Sequence, residues 1–117
     1  MAIIRGRLAD IQTLPATVGS IYANPASTKT FISGFTLFNS HTAAETVKLH
    51  NVPDSGGSLG TAAATNQFLE VVLASKETLI FEAPSDGIVM EDTNDSIQAV
   101  TTGANRVTVI IHGVIDA

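Results

Sequence analysis

The last quarter of the chain, residues 95–116, contains the feature that most constrains the fold. Two segments rich in β-branched residues flank a tight turn at Gly103-Ala104-Asn105. Such a pattern is typical of two strands joined by a short connection. The sequence therefore predicts that the chain closes with a β-hairpin.

The second of these strands is apolar on both faces. Side chains alternate along a strand, so Ile110 and Val114 point away from the face that carries Val107, Val109, Ile111 and Ile115. A strand in a sheet with only one buried face would carry apolar side chains on one side alone. The pattern indicates either a central strand of a closed sandwich or a strand whose outer face meets another subunit. We therefore predict Ile110 and Val114 as interface residues.

The rest of the chain is also typical of β-structure. Threonine, valine and isoleucine number 14, 10 and 11 of the 117 residues, and these types favour pleated strands. Turn residues separate about eight short strands. The segment 67–74 fits both a strand and a short helix, and a strand is favoured because Val71 and Val72 are β-branched. In the strand 30–39, strict alternation places Phe31, Phe35 and Leu37 on one face. The predicted strands are 3–11, 18–23, 30–39, 46–52, 67–74, 78–83, 88–90 and the closing pair.

These strands predict an all-β, two-sheet β-sandwich with a jelly-roll-like arrangement. An immunoglobulin-like sandwich is the alternative, but the chain has no tryptophan and no cysteine pair. The length is that of one domain. We therefore expect a single domain over 1–117, with an N-terminal arm or strand at about 2–11.

Charge and hydropathy favour assembly over catalysis or nucleic-acid binding. Only 15% of the residues are charged and the mean hydropathy is +0.29, which predicts a permanent oligomer or a larger assembly. Six basic and eleven acidic residues give a net charge of −5, which argues against a nucleic-acid partner. No segment is typical of a signal peptide or a membrane span. We expect a soluble protein made in the cytosol, with no membrane partner.

The titratable residues form no recognisable catalytic or metal site. The chain has no cysteine, which excludes thiolate chemistry. None of His41, His50 and His112 has a metal-ligand partner at the usual spacing, so we interpret them as polar strand or loop residues. Glu70 and Glu82 could meet across strands as glycosidase acids do, but solvated charges are the simpler interpretation.

Asp92-Thr-Asn-Asp95 is similar to the start of a calcium loop. The positions that would need glycine and glutamate hold Ile97 and Gly103, so we predict a turn. We expect no catalytic, cofactor-binding or metal-binding residue and no enzyme activity.

Two further segments are candidate contact surfaces. The loop 53–65 is long, small and rich in glycine, and long loops are often functional; Leu59 is its predicted contact residue. Ile3 and Ile4 are adjacent apolar residues, and at least one of them must face away from its own sheet. We predict both as interface residues.

The cadence of the middle of the chain resembles small β-sandwich structural proteins of tailed bacteriophages. The resemblance lies in Ile-Ser-Gly-Phe-Thr-Leu-Phe-Asn at 32–39, Glu-Thr-Val-Lys-Leu-His-Asn-Val-Pro at 45–53, Leu-Ala-Ser-Lys-Glu-Thr-Leu at 73–79 and Asp-Ser-Ile-Gln-Ala-Val at 95–100. It implies a head decoration or cement protein, often a homotrimer, that binds the major capsid protein on the outer surface of the virion. The alternative is a tail, baseplate or fibre-associated adaptor that recognises the host surface.

Overall fold

The computed structural model describes residues 3–85 and 87–116, apart from the side chains of Ile4 and Arg5. The helical content of this part is one 3₁₀ turn, Ala64–Asn66, so none of its helices is long enough to cross a membrane. The strands are β1 (Ile3–Arg7), β2 (Gln12–Thr13), β3 (Gly19–Ala23), β4 (Lys29–Asn39), β5 (Glu45–Val52), β6 (Gln67–Leu73), β7 (Thr78–Glu82), β8 (Ile88–Met90), β9 (Ser96–Thr101) and β10 (Val107–Asp116).

The strands form two packed antiparallel sheets. The six-stranded sheet has the order β1-β10-β4-β7, with β2 also paired to β10 and β8 also paired to β4, and the four-stranded sheet has the order β3-β9-β5-β6. β1 and β2 pair with successive parts of β10, and β8 and β7 with successive parts of β4. Counting each couple as one strand leaves eight strands in the jelly-roll order. The predicted all-β, two-sheet sandwich is confirmed.

The predicted closing hairpin is wrong, because β9 and β10 belong to different sheets. The chain crosses between the sheets at residues 102–106. The buried carboxylate of Glu45 holds this crossing: it accepts a hydrogen bond from the Gly103 N–H at 2.8 Å and pairs with the Arg106 guanidinium at 3.2 Å. Alternation identifies strands but not their partners, and here a residue some sixty positions away shapes the turn.

A β-bulge reverses part of the predicted face assignment of β4. His112 pairs with Gly34 and Gly113 with Ile32, so Ser33 is an extra residue on β4. A bulge shifts the alternation by one position. Ile32 is therefore buried in the core, and the prediction that Phe31 shares a face with Phe35 is wrong: Phe31 is half-buried on the outer side.

The predicted first strand, 3–11, is divided into β1 and β2. Asp10 and Ile11 lie between them, and Ile11 is 54% exposed. β1 pairs along its whole length with β10. The N-terminal segment from Ile3 onward is thus a sheet strand, which is one of the two forms that the sequence predicted for it.

An aromatic cluster joins the two sheets. The ring centroids of Phe35 and Phe81 in the six-stranded sheet and Phe68 in the four-stranded sheet lie 5.8 to 6.1 Å from one another, a favourable spacing for aromatic pairs. Phe68 is itself the extra residue of a bulge, because Leu49 pairs with Leu69 and His50 with Gln67. The bulge explains why this segment, correctly predicted as a strand, alternates poorly.

Asn39 is a fully buried polar residue at the end of β4. Its side-chain N–H groups donate to the carbonyls of Ala43, Leu73 and Ala74 at 3.0 to 3.2 Å, and its Oδ1 accepts from the His41 N–H at 2.9 Å. Buried polar groups are stable only when paired. This amide therefore ties two interstrand connections to the core.

Candidate functional site

The topology gathers several connections at one end of the sandwich, which measures 44 × 27 × 23 Å. The start of β1 and the end of β10 lie there beside the start of β4, and so do the connections 24–28, 53–66 and 91–95. Four carboxylates belong to these connections. We call this surface the acidic end; its carboxylates are Asp54, Glu91, Asp92 and Asp95.

The connection 53–66 is held in place by side chains of the sandwich. The amide of Gln98 donates to the Gly60 carbonyl at 2.9 Å, and that of Asn94 donates to the Gly57 carbonyl at 2.7 Å. His50 Nδ1 lies 3.1 Å from the Ala63 carbonyl oxygen and 3.0 Å from Asn66 Oδ1. Because both partners are acceptors, Nδ1 carries the proton. The loop presents a defined surface.

Two predicted contact residues lie at this end. Ile3 is 62% exposed and Leu59 is 47% exposed. Ile4 lies within β1 opposite Ile115, and its side chain is outside the described part of the structure. The topology brings Ile3 and the loop of Leu59 to the same end of the molecule, which alternation alone could not reveal.

Three carboxylates of the acidic end, those of Asp54, Asp92 and Asp95, have oxygens within 4.8 Å of one another. Backbone groups already engage Asp95: its Oδ1 accepts from the Asp54 N–H at 2.9 Å, and its Oδ2 accepts from the N–H groups of Glu91 and Asp92 at 3.2 and 3.1 Å. Asp54 Oδ2 accepts from the Gly57 N–H at 3.0 Å. The cluster therefore serves to order the connections, and 92–95 is a turn, as predicted.

The same contacts set the pKa of Asp95. Burial raises it, but the hydrogen bonds from the backbone of Asp54, Asp92 and Glu91 more than offset this, so that the pKa lies below its ordinary value of 3.8. A carboxyl with a lowered folded pKa stabilises the fold above its unfolded pKa. That contribution is lost as the pH falls through the folded pKa.

Asp95→Asn is expected to lower the free energy of unfolding by about 1–2 kcal/mol at pH 7, because hydrogen bonds to a charged acceptor are lost. The difference from wild type should shrink as the pH falls below 3.8, because the carboxyl of the unfolded chain takes up a proton first and that of the folded chain follows at lower pH. Urea unfolding at pH 7 and pH 3 measures both. Asp92→Asn is the control, since this exposed carboxylate accepts no hydrogen bond within the described residues. An equal loss in both variants would contradict the assignment.

Ile110 and Val114 lie elsewhere, on the outer face of the six-stranded sheet. Both are half-buried, while Val107, Val109 and Ile111 are buried on the inner face, as alternation predicted. Ile80 lies on the same outer face, two strands from Ile110, and is 64% exposed. Our prediction did not include Ile80. Alternation along the strand could have identified Ile80, because the side chains of its two neighbours point inward and its own must therefore point outward.

The three histidines lie far apart in the fold. His41 follows β4, His50 is buried on β5, and His112 is exposed on β10, where its Nε2 lies 3.3 Å from Thr36 Oγ1. In the residues described, none of them belongs to a group of three metal-ligating side chains. His41 is thus a loop residue, and His50 and His112 are strand residues.

Glu70 and Glu82 lie on different sheets and form no acid pair. Glu70 is on β6 with its carboxylate 3.9 Å from Lys48, whereas Glu82 is on β7. Glu82 borders an open groove of about 370 Å³ on the outer face of the six-stranded sheet, whose floor includes Gly34 and whose walls include Ile80 and His112. Glu82 and His112 are the titratable side chains among the described residues that line this groove.

The fold is a jelly-roll β-sandwich that exposes apolar side chains on one face and at one end. No protein-family model matches the chain, and no curated protein matches it. Among solved structures, the chain is similar to one described under "Bacillus endospore appendages form a novel family of disulfide-linked pili". The identity is 22%, the match covers 97% of this chain and 86% of that chain, and the TM-score is 0.50. This similarity supports the fold.

Proposed function

We propose that this chain is a non-enzymatic structural protein of a tailed bacteriophage, and that it decorates the outer surface of the head by binding the major capsid protein. The observation that carries the proposal is the exposure of large apolar side chains on an ordered sandwich of low charge. Ile3, Leu59, Val72 and Ile80 are 47 to 64% exposed. Where such side chains form a contiguous patch, the patch is typical of a surface that meets a partner.

The acidic end is the surface that we assign to the capsid. It combines Ile3 and Leu59 with connections that hydrogen bonds hold in one conformation. An ordered surface loses little conformational entropy on binding. Its carboxylates repel the phosphates of packaged DNA, which suits a position outside the shell.

The similarity to the solved structure from pili supports only the fold on which this proposal rests. The chain contains no cysteine, so disulfide links of the kind named for those pili cannot form in it. We infer that its assembly rests on non-covalent contacts, of which a decorating protein makes many at once. We also propose that the chain forms a homo-oligomer.

Binding of the purified chain to expanded heads tests this function. Leu59→Asp is expected to weaken head binding more than tenfold, because a buried leucine contact worth about 1.5–3 kcal/mol is lost and a charge must be desolvated. Val18→Asp is the matched control: Val18 is 44% exposed and follows β2, at the opposite end of the sandwich. Electron microscopy of labelled particles and cosedimentation give the two readouts.

Bound heads should also resist heat better than bare heads. Label found only at the tail tip, with heads equally heat-resistant with and without the protein, would overturn the decoration role and favour the tail adaptor. Equal weakening by Leu59→Asp and Val18→Asp would move the contact away from the acidic end.

A further inference from the structure

The outer face of the six-stranded sheet carries a group of apolar side chains at its centre, beside the polar His112, Asp116 and Lys29, and a charged residue on each edge strand. The centre consists of side chains on β10, β4, β8 and β7, with Ile80 64% and Val89 39% exposed. The bulge at Ser33 and the absence of a side chain at Gly34 leave grooves of about 370 and 310 Å³ in it. The apolar side chains of the centre are Phe31, Ile80, Val89, Ile110 and Val114.

Charge is ordered across this face. Arg7 on the β1 edge and Glu82 on the β7 edge are both exposed. They lie in the same row of the sheet, because Arg7 pairs with His112, His112 with Gly34, and Gly34 with Glu82. The face therefore has a basic edge and an acidic edge on either side of an apolar centre.

A face of this kind can stack on its own copy about a twofold axis in two ways. If the axis runs across the strands, each edge meets the same edge of the copy, so that basic meets basic and acidic meets acidic, which is repulsive. If the axis runs along the strands, β1 meets β7 and β10 meets β4. Each Arg7 then faces Glu82 of the second copy, and each His112 faces the groove floor at Gly34.

We propose that the outer face of the six-stranded sheet binds a second copy of this chain about a twofold axis parallel to its strands. A further row agrees with this arrangement: Asp116 on β10 pairs with Lys29 on β4, so the same axis places Asp116 of one copy opposite Lys29 of the other. The interface is isologous, with each contact made twice. This face therefore joins two copies of the chain, whereas the resemblance to phage proteins implied a homotrimer.

The area suits a stable pair. Strands about 4.8 Å apart, up to ten residues long at about 3.3 Å per residue, outline a face of roughly 600 Å². Two such faces bury about 1,200 Å², which reaches the range of specific interfaces. Two sheets within one protein also stack face to face with their strands nearly aligned, and the two copies have the same arrangement in the proposed pair.

Sedimentation equilibrium of the isolated chain tests the inference without any capsid. We expect a dimer of the 12.2 kDa chain at micromolar concentration. Arg7→Glu and Glu82→Arg should each raise the dissociation constant about tenfold, and the double exchange should restore it to within about threefold. With a twofold axis across the strands, each single variant would again set like charges against each other, so the single variants and the double exchange would all change the dissociation constant little.

Matched variants on the four-stranded sheet provide the controls. The exchange of Lys48 and Glu70, an exposed pair on that sheet, should leave the dissociation constant unchanged. Ile80→Asp should raise it at least tenfold, while Val72→Asp, 62% exposed on the opposite sheet, should not. A monomer, a trimer, or equal effects of Ile80→Asp and Val72→Asp would overturn the proposal, and none of these outcomes depends on whether heads bind the chain.

Discussion

Replacing Asn39 with leucine is expected to lower the free energy of unfolding by about 3–5 kcal/mol, one of the two largest single-residue effects that we expect in this fold. The side chain is fully buried and bridges three carbonyls and one N–H. Leucine has a similar volume but leaves these groups unpaired. Each unpaired buried group costs about 1–3 kcal/mol, and water that reaches the connection recovers part of this cost.

Urea unfolding at one fixed protein concentration measures this loss, since association also contributes to apparent stability. Asn51→Leu is the control, because Asn51 is exposed on β5 and exposed substitutions usually change stability by less than about 0.5 kcal/mol. Asn39→Asp should also destabilise the fold, as a carboxylate cannot donate to the three carbonyls. A stable Asn39→Leu variant would show that these connections are held by other contacts.

Gly113→Ala is expected to cost about 2–3 kcal/mol by overpacking. A Cβ at Gly113 would overlap the Phe31 carbonyl oxygen and lie 3.0 Å from both Ile32 Cα and Leu8 Cδ1. Gly113 stands opposite the bulge at Ser33 on β4. To remove this overlap, β4 and β10 would have to separate, because the overlapping oxygen belongs to the backbone of Phe31.

Gly19→Ala is the matched control for this prediction. Gly19 also lies in a strand, and the nearest atoms to its added Cβ are 3.8 Å away. We expect unchanged stability or a gain of up to about 1 kcal/mol, because alanine restricts the unfolded chain. Thermal melting of the two variants side by side gives the comparison. Equal melting temperatures would mean that β4 and β10 adjust at no cost.

The sequence predicted the strands well because their signals are local. The outward positions of Ile110 and Val114 on β10 and the strand at Gln67–Leu73 follow from alternation and β-branching. The jelly-roll class followed from the number of strands and the lack of immunoglobulin markers. The outward orientation of Ile110 and Val114 could therefore be predicted from one strand alone, whereas that of Phe31 could not because of the bulge.

How the candidate surfaces come together from distant segments could not be derived from such local signals. The common end of Ile3 and Leu59 depends on pairings between distant strands, such as β1 with β10. The hydrogen bond from the Asp54 N–H to Asp95 depends on a loop about forty residues away, unlike the local bonds from Glu91 and Asp92. These contacts form only after the chain has crossed between the sheets several times.

The sequence by itself determined the approximate positions of most strands, the alternation within unbroken strands, and how little charge the chain carries. The tertiary structure decided which strands pair, that β9 and β10 lie in different sheets, and that Phe31 faces outward beyond the bulge at Ser33. The physical reason is range. Alternation and turn preference act over a few residues, whereas strand partners and bulges are selected by packing across the whole sandwich, and one extra residue exchanges the two faces of a strand.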